Sequence, residues 1–315
     1  MSSQTVERAP VRGTQSLIRA IGECWRRPGL LALELAWRWG FGLPALALLT
    51  WLGVRLAARI QFGDLGLDDF SLQYPLAAAQ ITGAAIARVG PPVLALAFWL
   101  VPCLAVGWAV ASGVGRGLVL RRMDPEMRAQ PRFPATVLIL LQLARIVALG
   151  GAIAGWWFGL RWAAAETLGG AEPNLVGYLA WAICLSLGAF AVWALLSWIL
   201  SIAPMIVMLE SVGFWTSLGR SLRLGGLAGK LAEVNLSLGI VKLILVALAI
   251  VLSVTPIPLA PEMQGLPLYV WWAVVTVVYL IASDFFQVAR LVVFVHLWRA
   301  YHPRAVVPLD SSPEA

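Results

Sequence analysis

Three ionisable side chains interrupt otherwise apolar sequence: Arg145 in "LILLQLARIVAL", Lys242 in "LSLGIVKLILVAL" and Asp284 in "YLIASDFFQVAR". Holding a charge in the middle of a membrane span costs about 2.5–3.5 kcal/mol on insertion scales, so such residues are functional suspects by default. Two chemistries fit them. Asp284 can pair with Lys242 or Arg145 and fix helix register, or the three can line a path for protons or a small solute. Gln287 shares the Asp284 face, and Arg290 lies nearer the rim. Lys242 can also snorkel toward the interface along its four-carbon stem. A single buried carboxylate is able to do general acid–base work, but the residue constellations of an enzyme are missing. The two histidines, His296 and His302, form no metal-binding spacing. Gly113-Val114-Gly115-Arg116-Gly117 lacks the Lys-Ser/Thr ending of a phosphate loop and follows no strand. The expectation is no catalytic residue, no cofactor and no metal.

A second set of charges lies at the ends of apolar runs. In "GFWTSLGRSLRLGGLAGK", Gly213–Lys230, the residues Trp215, Leu218 and Leu222 follow i, i+3, i+7 spacing, while Thr216, Arg220 and Arg223 fall on another helical face. The N-terminal stretch repeats the device, with an apolar stripe of Leu17, Ile18, Ile21, Cys24 and Trp25 and with Arg19, Glu23, Arg26 and Arg27 off it. Helices of this kind lie in the membrane interface with rings inward and guanidinium groups toward phosphate. Arg19, Arg26, Arg27, Arg220, Arg223 and Lys230 are therefore candidate contacts for anionic lipid headgroups. The competing readings are a collar that only fixes topology and a docking surface for a soluble partner.

The run "SIAPMIVMLESVGFWTSLGRSLRLGGLAGKLAEVNLSLGIVKLI" resembles the membrane domain of bacterial glycerophosphodiester phosphodiesterases and related multispan proteins. In these proteins a span ending near a proline is followed by an acidic residue, an "R-S-x-R-L"-like amphipathic segment and another span. The matching positions are Pro204, Glu210, Arg220, Ser221, Arg223 and Leu224. The resemblance implies a helical membrane module. It does not extend to phosphodiesterase activity, which belongs to a soluble catalytic domain for which this chain has no room.

The elements that must position these residues are membrane helices. Hydrophobic residues make up 60% of the 315, and only 12% are charged, where a soluble domain carries roughly a quarter. Six runs reach the approximately 20 apolar residues that a span needs: Leu30–Ala58, Pro91–Leu120, Ala135–Leu160, Leu175–Leu209, Leu231–Val254 and Leu268–Trp298. The expected fold class is all-α, a polytopic bundle over 14–303 flanked by tails at 1–13 and 304–315. Between the spans, Lys and Arg number fourteen on one side, whereas Arg59, Arg88 and Arg161 stand alone on the other. This bias places both termini in the cytoplasm of a bacterial inner-membrane protein. It also accounts for the net charge of +7 without nucleic acid as a partner. Trp156, Trp157, Trp162, Trp271 and Trp272 mark outer boundaries, and Trp215, Trp298 and Tyr301 inner ones.

The outer segment 59–90 reads as an acidic turn followed by a weakly amphipathic helix lying on the outer surface or covering the bundle. Pro256, Pro258, Pro261 and Pro267 read as an extended connector. Gly151, Gly155 and Gly159 on the third span, and Gly113 and Gly117 on the second, allow close helix approach within the chain or in a homo-oligomer. Cys24, Cys103 and Cys184 suggest no disulfide framework. Two functional expectations stand: a non-catalytic module that binds lipid or supports a membrane-protein partner, and a small transporter or channel using Asp284, Lys242 and Arg145.

Overall fold

The computed structural model describes residues 13–60, 75–129, 132–170, 172, 174–254 and 265–301. These residues are all-α. The helices are α1 (Gly13–Arg26), α2 (Pro28–Ala57), α3 (Pro75–Met123), α4 (Pro125–Ala129), α5 (Ala135–Leu168), α6 (Leu175–Glu210), α7 (Phe214–Leu222), α8 (Gly226–Val254) and α9 (Leu266–Tyr301). Six of them, α2, α3, α5, α6, α8 and α9, are long and apolar enough to cross a membrane. The chain is a multi-pass membrane protein.

Two boundaries differ from the expected ones. The segment foreseen as a separate surface helix is helical but continuous with the second span, because α3 runs for 49 residues straight through Pro91, Pro92 and Pro102. Each proline removes one backbone donor, so the carbonyls of Ala87, Arg88 and Phe98 lose their partners four residues on. The alanine-rich run "LAAAQITGAAIA" favours helix strongly enough to carry through that loss. Pro267 likewise belongs to the first turn of α9, where a missing N–H costs nothing because it has no intrahelical partner. The acidic turn at Asp64, Asp68 and Asp69, the prolines Pro256, Pro258 and Pro261, His302 and most of both tails lie outside the described residues.

The chain divides into two compact units. The first draws on Met1–Leu35, Leu118–Pro131 and Gly219–Ala315. In it α8 and α9 form an antiparallel hairpin. The Trp271 Nε1–H donates to the Leu252 carbonyl at 2.8 Å and the Trp272 Nε1–H to the Ser253 carbonyl at 3.1 Å. Those are orphan acceptors of the last turn of α8, so the two indoles expected to mark an outer boundary also close that helix end. α1 packs on both members of the hairpin. It does so through Ser16, Leu17, Ala20 and Cys24, all buried and spaced to form one helical face. The last third of α9 is buried almost all round, from Val288 to Trp298, as expected of a helix apolar on every face.

The second unit comprises Ala36–Gly117 and Arg132–Leu218. α5 and α6 form its antiparallel hairpin. From Arg145 to Trp156 α5 climbs the same eleven positions that α6 descends from Ser197 to Ser186, and both rungs are hydrogen-bonded, Arg145 Nη2 to Ser197 Oγ at 3.2 Å and Trp156 Nε1 to Ser186 Oγ at 2.9 Å.

Glycines decide how α3 packs. A Cβ at Gly113 would lie 3.0 Å from the backbone N of Ile139 on α5, and one at Gly117 would run into Phe133 and Leu138. On another face, Gly107 and Gly115 accommodate the rings of Phe41 and Trp37 from α2, and Trp108 sits at 5.6 Å from Trp37 and 5.7 Å from Phe41. The glycine row of the third span is only partly used. A Cβ at Gly159 would meet Leu185 of α6, whereas one at Gly151 or Gly155 would meet no neighbouring side chain or helix within 4 Å among the described residues.

Candidate functional site

The basic collar is built on short amphipathic helices. Arg19, Arg26 and Arg27 are exposed on or just after α1, Arg220 and Arg223 are exposed on and after α7, and Lys230 is half-buried near the start of α8. The apolar stripe expected on α1 splits. Leu17 and Cys24 turn into the protein, while Ile18 and Trp25 turn outward with 71% and 79% exposure. Trp25 keeps one edge contact, with Phe285 at 5.9 Å. α7 is arranged similarly, with Ser217 and Ser221 buried and Trp215 and Leu222 outward. Small serines let the helix settle closely on its support, which leaves the large apolar side chains for another phase. An aromatic or aliphatic body turned outward beside guanidinium groups is the arrangement of an interfacial helix.

Ionic contacts fix this collar within the first unit. Glu23 accepts from Arg27 at 3.2 Å and faces His296 Nε2 at 3.3 Å, so α1 is tied to the last turns of α9. Lys230 lies 3.8 Å from Glu233. Between α3 and α4, Asp124 is 3% exposed. Its Oδ1 accepts the Glu126 N–H at 3.0 Å, and its Oδ2 accepts from Arg299 Nη2. Arg299 also reaches Glu126 Oε2 at 3.2 Å. Arg121 and Arg128 donate to the carbonyls of Arg128 and Arg122 respectively. The Asp124 anchor was missed in the sequence, although Asp124-Pro125-Glu126 carries the signature of an N-cap followed by proline at the first helical position.

No protein family, curated protein or solved structure matches this chain. The arrangement of its own residues therefore carries the reading. Among the described residues, no cluster of His, Cys, Asp or Glu is placed to hold a metal ion.

The intramembrane candidates occupy different settings. Arg145 is partly buried in the α5–α6 hairpin and spends a donor on Ser197. Asp284 is 5% exposed on α9, with Gln287 and Arg290 half-buried one and two turns further on. Lys242 is exposed on α8 next to outward-facing Leu243 and Ile244, where its stem can run along the apolar surface.

Burial, with the Glu23 carboxylate beside it, pushes the Cys24 thiol up to about 11. Only the thiolate attacks an electrophile. In a variant with Cys103 and Cys184 replaced by serine, maleimide should therefore label Cys24 at pH 8 about a hundredfold more slowly in the folded protein than after denaturation. Equal rates would show that α1 is not seated. The sign follows from the shift: a raised folded pKa supports the fold below the ordinary thiol range and loses that support as pH climbs toward about 11.

Proposed function

We propose that this protein is a non-catalytic module of the bacterial cytoplasmic membrane, with both termini in the cytoplasm, which binds anionic lipid headgroups at its cytoplasmic face and supports a membrane-protein partner or a second copy there. The observation that carries the reading is the pairing of outward-turned apolar side chains with exposed arginines on two separate short helices. Ile18 and Trp25 accompany Arg19, Arg26 and Arg27, and Trp215 and Leu222 accompany Arg220 and Arg223. The fourteen-to-three asymmetry of basic residues between the two sides supports the orientation. On this reading the resemblance to phosphodiesterase membrane domains concerns the module alone. The alternative, a solute or proton path along Asp284, Lys242 and Arg145, has less to support it, since Arg145 is engaged with Ser197 and Lys242 is on an exposed helix face.

Mass spectrometry of the protein taken directly into native lipid discs tests the proposal. One anionic lipid class should be enriched over the bulk membrane, and neutralising Arg220 and Arg223 to glutamine should abolish the enrichment. A lipid profile equal to the bulk would reduce the collar to a topology signal.

A further inference from the structure

Small groups hold α1 to the rest of its unit. The face that meets α8 and α9 consists of Ser16, Leu17, Ala20 and Cys24, while the bulkier Ile18 and Trp25 turn outward. Of the four buried residues only Leu17 is large, so the apolar area gained by seating α1 is modest and ionic contacts carry a larger share of its hold. The helix also ends on a joint. Arg27 is not helical, and Pro28, the first residue of α2, has no N–H with which to continue the α1 ladder.

We infer that the seat of α1 is a pH-sensitive latch, closed by the Glu23–His296 contact when the imidazole is charged and loosened when it is neutral. Glu23 divides its carboxylate between two partners. Oε1 accepts from Arg27 at 3.2 Å, and Oε2 faces His296 Nε2 of α9 at 3.3 Å. The second contact is the one that spans two helices. Histidine is the side chain whose charge ordinarily changes between pH 5 and 8, whereas a carboxylate stays ionised across that window. A charged imidazole gives Glu23 an ion pair, and a neutral one no more than an ordinary hydrogen bond, roughly half as strong. The contact therefore holds α1 most firmly at the acid end of the window and weakens as pH rises through it. Release strands no charge on α1, because Arg27 travels with Glu23.

The other ionisable groups at this end of the unit leave that window to His296. On α9, Arg299 is one turn further on and is engaged by Asp124 and Glu126, and Arg290 lies nearer the middle of the helix. α8 brings Lys230 and Glu233, which face each other at 3.8 Å. α1 adds Cys24 beside Glu23. Burial pushes its thiol up to about 11, so α1 must leave its seat before the thiol ionises in the ordinary range, which weakens the seat in the same direction but at higher pH. Once released, α1 presents Leu17 and Cys24 together with Ile18 and Trp25, an apolar surface suited to lying in the membrane interface. It carries Arg19 and Arg26, part of the basic collar, with it. The inference concerns this seat and does not depend on which lipid or partner the collar meets.

Hydrogen exchange of the α1 amides, corrected for the intrinsic rate at each pH, tests the latch on the full-length protein in phosphatidylcholine discs. Those discs hold no anionic headgroup, so the result is independent of the lipid-enrichment experiment. Protection of α1 should fall about two- to fivefold between about pH 5.5 and 8, the range of one partly exposed ion pair. His296→Gln should flatten the profile and leave α1 as weakly protected as it is in the unchanged protein at pH 8. Glu23→Gln should flatten it likewise, whereas Arg27→Gln should keep the slope. A flat profile in the unchanged protein overturns the inference, and so does a slope that survives His296→Gln. An equal fall in the α5–α6 hairpin of the other unit overturns it too, by marking a global rather than a local opening.

Discussion

Gly113→Ala should lower stability by about 1–3 kcal/mol, the usual cost of forcing an extra methyl group into a packed site. The added Cβ would lie 3.0 Å from the Ile139 nitrogen and 3.1 Å from its Cα. Both are backbone atoms of α5, so relief requires a whole helix to shift rather than a side chain to rotate. Gly155→Ala, one span further along the chain, should do the opposite. A Cβ there would meet no neighbouring group within 4 Å among the described residues, and an alanine in an open helical site gains roughly 0.5–1 kcal/mol over glycine. Thermal unfolding of the two variants in the same detergent gives the comparison. Equal melting temperatures would mean that α3 and α5 are not in the close contact described above.

Removing the Arg299 guanidinium should destabilise the protein by about 2 kcal/mol, below the 3–5 kcal/mol of a fully buried pair because Arg299 is partly solvated. The cost comes from Asp124, whose carboxylate is 3% exposed and would keep only its capping bond to the Glu126 N–H. Asp124→Ala should lose slightly more, since the helix cap goes as well. If the two groups act as a pair, Arg299→Gln combined with Asp124→Asn should cost less than the sum of the single changes. Strict additivity in denaturant unfolding would sink the pairing.

The six spans could be read directly, because a run of about 20 apolar residues has few other uses. The short helices α1 and α7 were also visible in the 3.6-residue periodicity around Trp25 and Trp215. Their orientation was less so. Periodicity identifies an apolar stripe but not whether protein or lipid covers it, and Leu17 and Ile18, neighbours in one stripe, end on opposite sides of that choice. The continuation of α3 through Pro91 and Pro92 was hidden by a rule that holds best in water, where a proline boundary costs little to form. That Arg55 and Arg59 line one groove with Arg88 was not legible, because more than two dozen positions separate them and only the placement of α2 beside α3 puts them on one surface.

The glycines of α3 also limit how this segment can change length over evolution. Gly107 and Gly115 admit rings from α2, and Gly113 and Gly117 admit α5, so two neighbours read the same helix on different faces. Inserting or deleting one residue between them turns everything downstream by about 100°. That rotation would take every glycine beyond the change off its neighbour and put a side chain with a Cβ in its place. Point substitutions can be absorbed one face at a time, but a change of length cannot. The stretch from Gly107 to Gly117 should therefore keep its residue count across homologous chains.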